Sequence, residues 1–173
     1  MKIHLGCGVR YIDGWQNIDW SDKYKVDHKL NIGTQPLPFE DGVASEVISS
    51  HLIEHLTRWE GIYHLNEIYG VLGEGGELLL SFPDLAKIVQ CYHGKRPSPF
   101  NITGDDTWLV RAIFETQIDE TIVHKYGYTD KTMRSLLKTV GFKDVEEIKE
   151  HVEIDGHRVC HYSFATTIFK ATK

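Results

Sequence analysis

The segment Lys2 to Leu5 has a strand pattern and runs straight into Gly6-Cys7-Gly8. A second short strand pattern, Gln16 to Asp19, follows the turn signal Asp13-Gly14 and ends on an acid. This pairing constrains the chain more than anything else in it. A Gly-x-Gly turn at a strand end lets a ligand approach the backbone. An acid closing the neighbouring strand can accept two hydrogen bonds from a ribose diol. In an open α/β sheet both lie at the carboxyl ends of adjacent strands, where such sheets bind their ligands. Together they point to an adenosine-bearing cofactor. Each alone has a plainer reading: the glycines simply turn the chain, and Asp19 is a strand-end or Asx-turn acid. A nicotinamide enzyme is disfavoured, because the third glycine of Gly-x-Gly-x-x-Gly is replaced by Tyr11.

The rest of the pattern extends the same architecture. Val26 to Ile32 reads as a third strand, followed by the loop Gly33 to Gly42 with Pro36 and Pro38. Ser45 to Ser50 reads as a short buried strand. Thr57-x-x-Glu60 has capping-box spacing, and Ile62, Leu65, Ile68, Tyr69 and Leu72 follow at helical intervals until Gly73. Gly75-Gly76 then turns into Glu77 to Phe82, whose run Leu78-Leu79-Leu80 suits a strand covered on both faces. Weaker helices are expected over Leu85 to His93 and Asp106 to Gln117. A firmer one starts at Asp130 as N-cap, carries Met133, Leu136, Leu137 and Val140 on one face, and stops at Gly141. Finally, Val145 to Ile154 and His157 to Ala171 flank Asp155-Gly156, a hairpin signal, so a parallel beginning gives way to an antiparallel end.

A chain of 173 residues without repeats, low-complexity stretches or a Ser/Pro-rich linker suits a single domain over residues 1–173. Nineteen Lys and Arg against twenty-five Asp and Glu leave a net charge of −6, so no basic field exists for a phosphate backbone and nucleic acid is not an expected partner. Ten His are the unusual part of the composition. The three cysteines, Cys7, Cys91 and Cys160, form no CxxC pair and read as reduced thiols. No apolar run reaches about 18 residues, and the start lacks the apolar core of a signal peptide. A cytoplasmic protein with no membrane partner is expected.

Read together, these residues resemble the class I S-adenosylmethionine-dependent methyltransferases, and within them a compact group acting on small molecules. The resemblance is carried by Leu5-Gly6-Cys7-Gly8, by Gly14-Trp15-Gln16-Asn17-Ile18-Asp19 and by Leu37-Pro38-Phe39. It continues through Ser49 to Leu56 (Ser-Ser-His-Leu-Ile-Glu-His-Leu), Val71 to Leu78, Phe82-Pro83-Asp84-Leu85, Leu136-Leu137 and Gly141-Phe142. Only about Lys87 to Ile122 falls outside it, a stretch read as a substrate-side insertion or lid carrying Tyr92, Phe100, Trp108 and Phe114.

The resemblance implies an α/β fold: a Rossmann-like seven-stranded, mostly parallel sheet with an antiparallel C-terminal hairpin strand and helices on both faces. It implies S-adenosyl-L-methionine as cofactor, with Gly6, Cys7 and Gly8 along its methionyl part and Asp19 on the ribose hydroxyls. Trp20, Asn31 and Ile32 would lie near adenine, and Ser50, His51 and Leu52 would close the pocket. It implies methyl transfer to an O- or N-acceptor on a small molecule, such as a sugar or secondary metabolite; a homodimer is an admissible assembly. The chain departs from the broader family at His4 and Asn31, where acids are common, and in having ten residues between its first two strands, so the usual helix there must shrink to about a turn.

Candidate general bases are His51 and His124, with plainer readings as a helix-start cap and a surface loop residue. Asp84 either orients an acceptor or caps the following helix. Lys23, Lys25 and Lys29 beside Asp22 and Asp27 read as a solvated edge. Two rival readings remain. One is a cofactor-binding relative without catalysis. The other is a zinc protease, since His51-Leu52-Ile53-Glu54-His55 matches His-x-x-Glu-His, which on a helix places both imidazoles on one face with Glu54 as base. The pattern specifies no third ligand, Glu115 and His124 being equally free choices, and no metal site is assigned.

Overall fold

The computed structural model describes residues 1–95, 107–118, 123–154, 156–160 and 165–173. Its main sheet has seven strands in the order β3-β2-β1-β4-β5-β9-β6. The strands are β1 (Lys2–Leu5), β2 (Gln16–Asp19), β3 (His28–Lys29), β4 (Ala44–Ser50), β5 (Leu72–Pro83), β6 (Lys143–Ile148) and β9 (Thr166–Thr172). The first five pair in parallel; β9 runs antiparallel between β5 and β6. Four helices are described: α1 (Arg58–Val71), α2 (Leu85–Tyr92), α3 (Thr107–Phe114) and α4 (Asp130–Val140). Among the described residues, no helix is long and apolar enough to cross a membrane.

Alternation along the strands divides the core by face. Leu5, Val47, Leu78, Leu80, Phe82, Phe169 and Ala171 pack with Leu65, Ile68 and Val71 of α1 and Met133 and Leu137 of α4. Ile48, Leu79 and Ile168, one residue out of step, face the other way. There, among the described residues, they pack against Ile12 and Trp15 of the β1–β2 connection and a separate antiparallel pair, β7 (Val152–Ile154) and β8 (His157–Cys160).

The β1–β2 connection contains no helix, only the single turns closed by Arg10 N–H on Cys7 O and Trp15 N–H on Ile12 O. Asn17 takes over its work. Fully buried in β2, its side chain accepts from Ile12 N–H at 3.0 Å, and its Nδ2 reaches Ile12 O, Trp15 O and Asp27 Oδ2 at 2.9–3.0 Å. One amide thus satisfies backbone groups that a helix would otherwise have paired.

Four expectations need correction. The third strand shrinks to His28–Lys29, because Asp27 spends its carboxylate on the Asn17 backbone and side chain and on Tyr11, and a turn at Asn31 follows. Asp27 is therefore a brace, while Lys29 and Asp22 do form an exposed pair. α1 keeps its predicted Thr57–Glu60 capping box but ends at Val71, and the Gly75-Gly76 turn is an irregularity inside β5. The N-cap of α4 is Thr129, boxed with Thr132; the Asp130 amide goes to Asp84 instead. The long C-terminal hairpin arms each break in two: β6 and β9 join the main sheet, and only β7 and β8 pair across the turn, of which Asp155 is outside the described residues. All three cysteines are free, as expected, and all three are buried.

Candidate active site

Five parallel strands bring their carboxyl ends to one rim of the sheet. Gly6 and Gly8 adopt left-handed conformations at φ 64° and 52°. The turn is tied to β2 by Gly6 N–H and Cys7 N–H donating to Ile18 O, and by Gly8 N–H donating to Asp19 Oδ2 at 2.9 Å. A Cβ on Gly6 would come within 3.1 Å of the Leu52 side chain, so the turn and the segment after β4 touch. Asp19 is buried and its Oδ1 accepts from Ser21 N–H at 3.0 Å. The two readings of Asp19 are thus compatible: it closes an Asx turn, and each carboxylate oxygen retains a lone pair. Cys7 is a thiol, not a nucleophile, since burial and the Asp19 charge push it up to about 11.

The other residues expected at the cofactor diverge. Trp20 stands half-exposed past β2, and Asn31 is exposed in its turn, whereas Ile32 is part of the core. Ser50 bonds Ser81 at 2.8 Å, and both contact the buried Cys160 thiol, so its hydroxyl is already engaged. Asp84 is fully committed as a cap: Oδ1 accepts from Ala86 and Lys87 N–H, and Oδ2 from Asp130 N–H and Thr167 Oγ1. Of the aromatic residues in the insertion, Trp108 packs against Ile88 and Cys91, Tyr92 and Phe114 are exposed, and Phe100 is outside the described residues. So is most of the stretch linking α2, α3 and α4.

Beyond Ser50 the backbone turns sharply. His51 has φ 50° and donates its N–H to Ser81 O, and a three-residue 3₁₀ turn, Ile53–His55, follows. His51 and His55 therefore do not share a helix face, and the protease geometry is not formed. The cluster that does form centres on Glu54, a residue weighed in the sequence only as the base of that rival. Its Oε1 meets His51 Nδ1 at 3.0 Å, and its backbone carbonyl accepts from Lys125 and Tyr126 N–H, which draws the His124 loop onto the 3₁₀ turn. Burial alone would push the Glu54 carboxyl up, but the hydrogen bond and charge of His51 and the charge of His55 bring it below the usual range. The His55 and His124 rings meet edge to face at 5.0 Å; His55 Nδ1 donates to Val123 O, and His124 Nε2 lies 3.6 Å from Glu115 Oε2 at the end of α3. Burial lowers the His124 pKa. The two candidate bases, chosen separately in the sequence, thus both lie beside one buried carboxylate.

No family model matches the sequence, and no curated protein matches it. Solved structures do. A methyltransferase dependent on S-adenosylmethionine from Archaeoglobus fulgidus superposes with a TM-score of 0.63 at 17% identity, over 99% of this chain and 85% of that one. A second, from Methanosarcina mazei, gives 0.61 at 18% identity over 99% and 91%. This is the class I methyltransferase fold. The Burkholderia thailandensis 1,6-didemethyltoxoflavin-N1-methyltransferase, solved with S-adenosylhomocysteine bound, shares it at 0.59 and 8% identity, over 99% of this chain and 70% of that one. At such identities the likeness is one of architecture. In this fold the inserted antiparallel strand is β9, and the glycine turn and Asp19 sit side by side at the carboxyl-end rim of the parallel strands.

Proposed function

We propose that the protein is an S-adenosylmethionine-dependent methyltransferase acting on a small molecule through an O- or N-acceptor. The observation that carries the reading is the Gly8–Asp19 hydrogen bond, which holds a left-handed glycine turn against a buried carboxylate that still has lone pairs to offer. The residues present fit an adenosine-bearing sulfonium: Asp19 takes the ribose hydroxyls, the side-chain-free edge of Gly6 and Gly8 admits the methionyl part, and half-exposed Trp20 offers a ring face near the base. When bound, the cofactor supplies an electrophilic methyl carbon for in-line displacement, a reaction that asks the protein mainly for alignment. Leu52, packed on Gly6, closes the pocket. His51 is held by Glu54: with the carboxylate accepting Nδ1–H, the lone pair lies on Nε2, which takes the acceptor's proton. We assign the acceptor side to the segment around α3, whose following residue Glu115 lies 3.6 Å from His124.

Calorimetry with S-adenosylhomocysteine tests the assignment. Asp19→Ala should weaken binding by at least about tenfold, the loss of one or more hydrogen bonds to a charged acceptor at about 1.5–3 kcal/mol each. Unchanged affinity in a folded Asp19→Ala protein removes Asp19 from this role.

A further inference from the structure

Glu54 carries an unresolved electrostatic problem. It is 3% exposed, and while Oε1 is bonded to His51, its Oε2 is buried without a hydrogen-bond partner among the described residues. An ionised carboxylate oxygen left bare in a protein interior is costly unless a cation or donor satisfies it. One carboxylate oxygen of Glu54 and one ring nitrogen each of His55 and His124 lie within 4.8 Å of one another. Ligands about 2.0–2.2 Å from a common ion stand roughly 3–4 Å apart, so small side-chain adjustments close this set.

Both imidazoles make the kind of outer hydrogen bond that fixes a ligating histidine. The Nδ1–H of His55 is occupied by Val123 O, which leaves Nε2 with its lone pair; the ring of His124 is held by the Ala112 backbone. Glu115 stands at 3.6 Å from His124 as an outer partner.

We propose that Glu54, His55 and His124 bind one divalent transition-metal ion. Two imidazoles and a carboxylate suit zinc, manganese, iron or cobalt rather than magnesium or calcium, which prefer all-oxygen shells. Three protein ligands leave positions open to an oxygen ligand, the pattern of a working rather than a purely structural site. The cluster begins two residues after Leu52, the side chain that touches Gly6, so it borders the cofactor rim. Resting on the methyltransferase reading, the open positions face the acceptor and select one bearing a hydroxyl.

The test uses the full chain without a histidine tag, stripped by chelator and titrated with Zn²⁺ and Mn²⁺ by calorimetry and with Co²⁺ by visible absorption. One ion per chain is expected, with cobalt ligand-field bands. His124→Asn and Glu54→Gln should each weaken binding by at least about 10- to 100-fold, while His93→Ala, at an exposed site, should not. Should Glu54→Gln fail to fold, His124→Asn decides alone. Failure of the folded wild-type chain to bind any of the three ions, or wild-type affinity in His124→Asn, overturns the proposal. S-adenosylhomocysteine binding is measured on the same samples. Cofactor binding without metal sinks only the metal site, and metal binding without cofactor sinks only the methyl-transfer reading.

Discussion

Acid should unfold this protein earlier than its carboxylates can account for. Two of its histidines are locked inside as neutral rings. His64 in α1 is fully buried against the Ser49 hydroxyl at 3.0 Å, and burial lowers its pKa to about 3. His4 in β1 is lowered to about 4, first by burial, and its Nδ1 lacks a hydrogen-bond partner among the described residues. Both values lie below the ordinary 6.5, so the unfolded chain takes up protons that the folded chain refuses. The stability these rings contribute is complete above about pH 6.5 and is lost as the pH falls towards the folded values. Between pH 7 and pH 5 each removes about 2 kcal/mol, together about 4, a large share of the roughly 5–15 kcal/mol typical of a small domain. His124, also lowered, adds in the same direction. Asp27, Glu54 and Glu60, whose pKa values fall below the usual carboxylate range, act mainly below about pH 4.5, outside this window. Urea unfolding at constant ionic strength, at about pH 7, 6 and 5, should show the loss steepening towards the acid end, and His64→Gln should roughly halve the slope. A flat profile, or an unaltered slope in His64→Gln, refutes the reasoning.

Two further substitutions probe the scaffold. Asn17→Ala strips the helix-free connection of its brace and takes the side-chain partner from Ile12 N–H and Trp15 O, while Ile12 O keeps only the Trp15 N–H; a loss of about 3 kcal/mol is expected from the urea midpoint. Gly61→Ala is favoured by helix propensity by about 1 kcal/mol, yet its Cβ would stand 2.5 Å from Tyr128 Oη, so a net destabilisation of about 1–2 kcal/mol should appear as a lowered Tm.

Local signals proved legible where the interaction that makes the element is itself local. Thr57 and Glu60 are three residues apart and their box forms as expected. The α4 start was displaced by one residue because Thr129 and Thr132 make the box and Asp130 serves Asp84, forty-six residues away. The shortening of β3 likewise reflects a side chain, Asp27, competing with the strand ladder for Asn17. At the candidate site, the glycine turn and Asp19 were readable because strand ends announce themselves. The Glu54 cluster was only half visible: Glu54 and His55 are adjacent in sequence, but His124 arrives through two backbone bonds to Glu54 O that no side-chain pattern encodes. His64 went unnoticed as well, for a lone histidine on an apolar helix face carries no mark of its partner.

The insertion of β9 also sets an order of events. β9 follows β5 and β6 in sequence yet lies between them. Until Thr166–Thr172 have been synthesised, β5 can pair with β4 along one edge only and leaves its other edge, Glu77 to Pro83, open, while β6 lacks the one strand it pairs with among the described residues. From the completion of β5 at Pro83 until Thr166–Thr172 are made, the nascent chain therefore carries an open, apolar edge that a single seven-residue segment later seals, and in that interval it is open to pairing with other chains.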